Sequence, residues 1–120
     1  MDKTAMIVDD ELFYRELLRD ILTKEGFIIV AEATNGSEAV EEYKALFPMI
    51  TIMDIFMSEK SGIDATREIV SFDKNAKVLI CSGIGYDEDI KAAMNVGARD
   101  IIYKPFLPEE VMETINKALA

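Results

Sequence analysis

The chain has 120 residues, half of them apolar and three in ten charged, a balance that suits one globular domain and excludes a disordered segment. Twenty-three acidic against thirteen basic side chains give a formal net charge of -10, with Lys and Arg scattered along the chain, which argues against direct nucleic-acid binding. The absence of histidine and the presence of one cysteine exclude histidine acid-base catalysis, Ser-His triads, histidine metal sites and an internal disulfide. Apolar runs of strand length then recur along the chain, starting with AMIV at 5–8, which leads directly into Asp9, Asp10 and Glu11. The next segment, 12–26, places Leu17, Leu18, Ile21 and Leu22 on one helical stripe and is stopped by Gly26. FIIVAEA (27–33) reads as a second strand, and the helix after it opens on a turn or cap at Asn35 to Ser37. MITIMDI (49–55) is the third strand and is followed by a helix from Gly62; KVLICS (77–82) is the fourth. The helix after that carries acids in its first turn and ends before Gly97, as the helix dipole favours. DIIY (100–103) is the fifth strand, and Pro108 is well placed to begin the last helix.

No stretch approaches the ~20 consecutive apolar residues of a membrane helix, and no basic leader precedes a hydrophobic run, so a cytoplasmic chain without membrane insertion is expected. Five repetitions of strand then helix over 1–120, with no linker or repeat, point to one α/β domain built on a parallel sheet. The strand runs are nearly continuous rather than alternating, which suits strands covered by helices on both faces. In such a fold ligands bind beyond the carboxyl ends of the strands.

Those ends collect chemistry. The first strand delivers Asp9 and Asp10, the third Asp54, the fourth Ser82 and the fifth Lys104. Carboxylates brought this close raise one another's pKa unless a cation sits among them, and an all-oxygen donor set suits Mg²⁺. A carboxylate beside such a metal can act as a nucleophile toward a phosphoryl group, with an ammonium and a hydroxyl available for the new charge. As a helix-start pair, Asp9 and Asp10 would leave unexplained why Asp54 and Lys104 fall at other strand ends. Glu11 is read as a solvated acid at a helix start. Cys81 is read as a buried structural thiol, and the methionines and tyrosines as core and surface filler.

The motifs VDDE (8–11), MDIFM (53–57) with Gly62 eight residues past Asp54, CSG (81–83) and YKPF (103–106) together resemble the response-regulator receiver domain over the whole length. The resemblance implies a flavodoxin-like (βα)5 three-layer sandwich whose five parallel strands run in the order 2-1-3-4-5. It also implies that Asp54 accepts the phosphoryl group and that Asp10 binds Mg²⁺ directly. Asp9 would bind the metal largely through water, and the Phe56 carbonyl would complete the metal set. Ser82 and Lys104 would follow and pair with the phosphoryl group, and the Lys104-Pro105 bond would be cis. The chain departs from the family at Ser58, where proline is common, at Met49, where aspartate is frequent, and at Ile101, which replaces a switch aromatic that Tyr103 should not be mistaken for. Phe56 and Ile84 occupy positions that tune dephosphorylation in the family; both are apolar, so slow hydrolysis is expected.

The resemblance implies a histidine kinase as phosphodonor, a downstream protein target such as the flagellar motor or an adaptor protein, and a phosphatase. The chain would be no enzyme beyond its own phosphoryl transfer and dephosphorylation. No DNA-binding extension follows Ala120, so output is expected through protein binding. The short chemotaxis regulators are the nearest likeness, with a phosphorelay intermediate of the sporulation type as the alternative. Two readings from other classes remain. A haloacid-dehalogenase-type phosphatase needs an aspartate where Phe56 stands, and a flavin module needs a Ser/Thr/Gly-rich loop after the first strand, where this chain has Asp-Asp-Glu.

Overall fold

The computed structural model describes residues 2–120. Five strands alternate with five helices: β1 (Thr4–Val8), α1 (Leu12–Lys24), β2 (Ile28–Ala33), α2 (Gly36–Leu46), β3 (Ile50–Asp54), α3 (Gly62–Phe72), β4 (Val78–Gly83), α4 (Asp87–Asn95), β5 (Asp100–Lys104) and α5 (Pro108–Leu119). The sheet is parallel throughout, in the order β2-β1-β3-β4-β5. Among the described residues no helix is long and apolar enough to cross a membrane.

Because successive strand residues face opposite sides, each central strand feeds two cores. Ala5, Ile7, Ile50, Ile52, Leu79 and Cys81 pack against Leu18, Ile21 and Leu22 of α1 and Val111 and Ile115 of α5. Met6, Val8, Met53, Val78 and Ile80 pack on the other side against α2, α3 and α4, through residues such as Val40, Ile69 and Ala93. The expectation that every strand is covered on both faces holds for β1, β3 and β4 and fails for the two edge strands, β2 and β5, in the second of which only Ile102 is buried and Tyr103 is exposed. β2 is an edge strand; only Ala33 in it is buried, and Ile28 is half exposed. Glu32 of the same strand lies at the surface and pairs with Arg15 and Arg19 of α1. Phe27, read as strand from its apolarity, is buried one residue before β2 begins.

The helix starts are closed as their residues allow. Asn35 Oδ1 accepts from the Glu38 amide at 2.9 Å, and Ser61 Oγ accepts from the Asp64 amide at 3.2 Å. Gly62 must be glycine: a Cβ there would lie 1.9 Å from the Asp54 carbonyl oxygen, and its amide donates to the Ile55 carbonyl at 2.8 Å. This close approach seats the start of α3 directly on the end of β3. Gly62→Ala is therefore expected to cost about 1–3 kcal/mol or more through overpacking against rigid backbone. Urea denaturation would show it as a lowered midpoint, and an unchanged midpoint would contradict this close packing.

Candidate functional site

The ends of β1, β3 and β5 bring their carboxylates and ammonium into one cluster. The Asp9 amide donates to the Ala33 carbonyl at 3.0 Å, continuing the β1-β2 ladder past Val8 and holding Asp9 in place. Its side chain is buried: Oδ1 accepts from the Glu11 amide at 2.9 Å, and Oδ2 accepts from Lys104 Nζ at 2.7 Å. Asp54, also buried, accepts from the Ile55 amide at 2.9 Å through Oδ1, and the same oxygen lies 3.6 Å from Lys104 Nζ. Asp10 is exposed, and one oxygen from each of Asp9, Asp10 and Asp54 lies within 4.8 Å of the others. Three hard oxygen donors with one open to solvent fit a hard divalent cation such as Mg²⁺, which keeps several of its own waters. The Lys104-Pro105 bond is cis.

The charges are unequally matched. Burial, with the Asp9 charge beside it, pushes Asp54 up to about 7; Lys104 and the Ile55 amide only partly offset this, and Asp10 adds to it. Burial works against the Lys104 ammonium, yet the hydrogen bond to Asp9 and the charges of Asp54 and Asp9 outweigh it and hold its pKa above the ordinary lysine value. Cys81 beneath the site is pushed up to about 12, chiefly by burial, so it stays an inert thiol.

Ser82 is buried at the end of β4, and its Oγ donates to the Gly83 carbonyl at 3.3 Å. Register places Ser82 beside Tyr103 and Gly83 beside Lys104. Phe56 follows β3 with its ring half exposed and tilted on Tyr86, centroids 4.8 Å apart. Ile84 is exposed. Ile101 is half-buried against the core on the α2, α3 and α4 side, while Tyr103 is exposed.

Glu11 is the N-cap residue of α1, as a helix-start acid should be, but its side chain makes no cap hydrogen bond; Oε1 lies 3.7 Å from Lys104 Nζ. Two neighbours were not legible as site residues. Arg15 Nη1 donates to the Asp9 carbonyl at 2.8 Å, and Lys104 Nζ lies over the Tyr14 ring, 4.1 Å from its centroid. The tyrosines read as filler; the available signal was spacing, since Tyr14 extends the Leu17, Leu18 and Ile21 stripe one turn toward Asp10.

Comparison with known proteins gives a consistent picture. The family described as "Response regulator receiver domain" matches residues 5–116. The chemotaxis protein CheY of Thermotoga maritima is 50% identical over 117 residues, covering 98% of each chain. CheY of Bacillus subtilis is 46% identical over 119 residues, covering 99% of each. Among solved structures, the CheX-CheY-BeF3-Mg complex of Borrelia burgdorferi contains a chain that superposes with a TM-score of 0.93 at 34% identity, over 98% of this chain and 89% of that one.

The raised Asp54 carries a definite pH signature in metal-free protein. An unfolded Asp54 releases its proton near 3.8 and the folded one near 7, so between these values the native state binds more protons. Stability should therefore fall as pH rises from about 4 to 7, by up to roughly 1.4 kcal/mol per unit from this group. Asp54→Asn removes that slope, so its denaturation midpoint should gain on the parent as pH rises; parallel curves would contradict the buried, crowded Asp54.

Proposed function

The chain belongs to the response regulator receiver family, and from that premise we propose that it is a stand-alone phosphorylation switch whose acceptor is Asp54. The observation that carries this reading is the convergence of Asp9, Asp10, Asp54 and Lys104 at the carboxyl ends of three strands of one sheet. The donor is a partner histidine kinase. An ionised Asp54 oxygen attacks phosphorus, the bond from phosphorus to the donor nitrogen breaks, and its electron pair leaves with the imidazole.

Lys104 Nζ, 3.6 Å from Asp54 Oδ1, is close enough to pair with a phosphoryl oxygen on Asp54. Ser82 Oγ can exchange its 3.3 Å bond to the Gly83 carbonyl for a bond to a second phosphoryl oxygen. Asp9, Asp10, Asp54 and the Phe56 carbonyl would hold Mg²⁺. When bound, the metal supplies the positive charge that the carboxylates and the incoming phosphoryl group lack.

Ser82 repacking carries the change to the face of α4, β5 and α5. That face bears an open groove of about 600 Å³ lined by Ile84, Ile101, Tyr103, Pro105, Glu110 and Glu113, among others. Residues 1–120 act as one receiver unit in the cytoplasm, and output is through protein binding. The likeness to two CheY proteins over nearly their full length supports chemotaxis and motility as the setting, with the flagellar motor or an adaptor as target. Phe56 and Ile84 present no group that could orient water toward an acyl phosphate, so the phosphorylated state is long-lived and a phosphatase ends the signal.

Intact mass after incubation with acetyl phosphate and Mg²⁺ tests this reading. One added phosphoryl group is expected, absent without Mg²⁺ and absent in Asp54→Asn. Followed after donor removal, the adduct should persist for minutes or longer. No adduct at Asp54 would overturn the acceptor role, and decay within seconds would overturn the slow-hydrolysis reading.

A further inference from the structure

We propose that Tyr14 is a positioning residue for Lys104, its ring face holding the ammonium against Asp9 and Asp54. Nζ lies 4.1 Å from the ring centroid while hydrogen-bonded to Asp9 at 2.7 Å, and the lysine side chain is only 10% exposed. The ring is itself held: it tilts on Phe106 at 5.8 Å, and Phe13 meets it edge-on at 5.1 Å. Phe106 is buried and stands two residues after Lys104, so the lysine and the support of its aromatic neighbour share one short piece of chain.

A nearly dehydrated ammonium needs electron-rich surroundings on every side that water has left. The negative face of an aromatic ring supplies this without adding another carboxylate to an overcrowded site. Lys104 also has a competing partner: Glu11 Oε1, 3.7 Å away on an exposed side chain, would draw the ammonium outward. An aliphatic side chain at position 14 would fill the space but leave that competition unopposed.

Consequences for phosphoryl transfer rest on the reading of Asp54 as acceptor; the pose of Lys104 does not. Two measurements on the Mg²⁺-free and Mg²⁺-loaded full chain separate them: the rate of Lys104 acylation by acetic anhydride, mapped by mass spectrometry, and the initial rate of phosphorylation by acetyl phosphate. In Tyr14→Leu, Lys104 acylation should rise about three- to tenfold and phosphorylation fall by a similar factor, as the loss of one partly buried cation-π contact implies. Tyr14→Phe keeps the ring face and should match the parent in both. Tyr14→pentafluorophenylalanine keeps the shape but reverses the face, so it should behave as Tyr14→Leu even if the leucine variant does not fold. Parent-like acylation in the fluorinated variant, or leucine-like behaviour of Tyr14→Phe, would overturn the proposal. If the acylation pattern holds and the parent accepts no phosphoryl group, the positioning role stands and the acceptor reading falls.

Discussion

One ammonium stands among too many carboxylates. Lys104 Nζ is bonded to Asp9 and lies within 4 Å of Asp54 and Glu11, with exposed Asp10 completing the acidic cluster. Breaking a buried ion pair by removing one partner is costly, because it strands the other charge away from water. Here the stranding is already partial: Asp9 takes the closest share of the lysine, and Asp54 is left buried and under-compensated. A group in that position lowers its free energy by gaining a proton, a metal ion or a new partner.

The fold keeps this imbalance in place. Three strands with two covered faces hold Asp9 and Asp54 on rigid ladders, so the charges cannot relax apart. Gly62 lets α3 begin on the Asp54 carbonyl itself, and the Asp9 amide bonds to the Ala33 carbonyl of the edge strand. Arg15 adds a further tie, from its guanidinium to the Asp9 carbonyl. The Ser82 hydroxyl and the loop leading to α4 are held more lightly: Ser82 Oγ makes a 3.3 Å bond to its neighbour's carbonyl, and Ile84 is exposed.

Much of this is readable from residues alone, because strand ends are where apolar runs stop and a charged side chain at such a stop faces the edge where ligands bind. That rule puts Asp9, Asp10, Asp54, Ser82 and Lys104 on one edge, and the structure gathers the carboxylates and the ammonium there. What cannot be read depends on pairing across the chain. Whether an apolar run lies at the centre or the edge of a sheet is decided by its neighbours, so β2 reads like β1 although Ile28 is half exposed. The choice of Asp9 over Asp54 as the closest partner of Lys104 spans 95 residues, and the seat of Tyr14 beneath the same lysine spans a similar distance. Local pattern carries no trace of the first, and of the second only the place of Tyr14 on the apolar stripe of α1.

Thermal melting with and without millimolar Mg²⁺ tests the unequal charge balance most directly. If the carboxylates of Asp9, Asp10 and Asp54 form a cation site strained by its own repulsion, Mg²⁺ should bind the folded chain alone and raise the melting temperature, and Asp10→Asn should reduce that rise. An unchanged melting temperature in the parent chain at millimolar Mg²⁺ would contradict the metal site and the charge balance on which it rests.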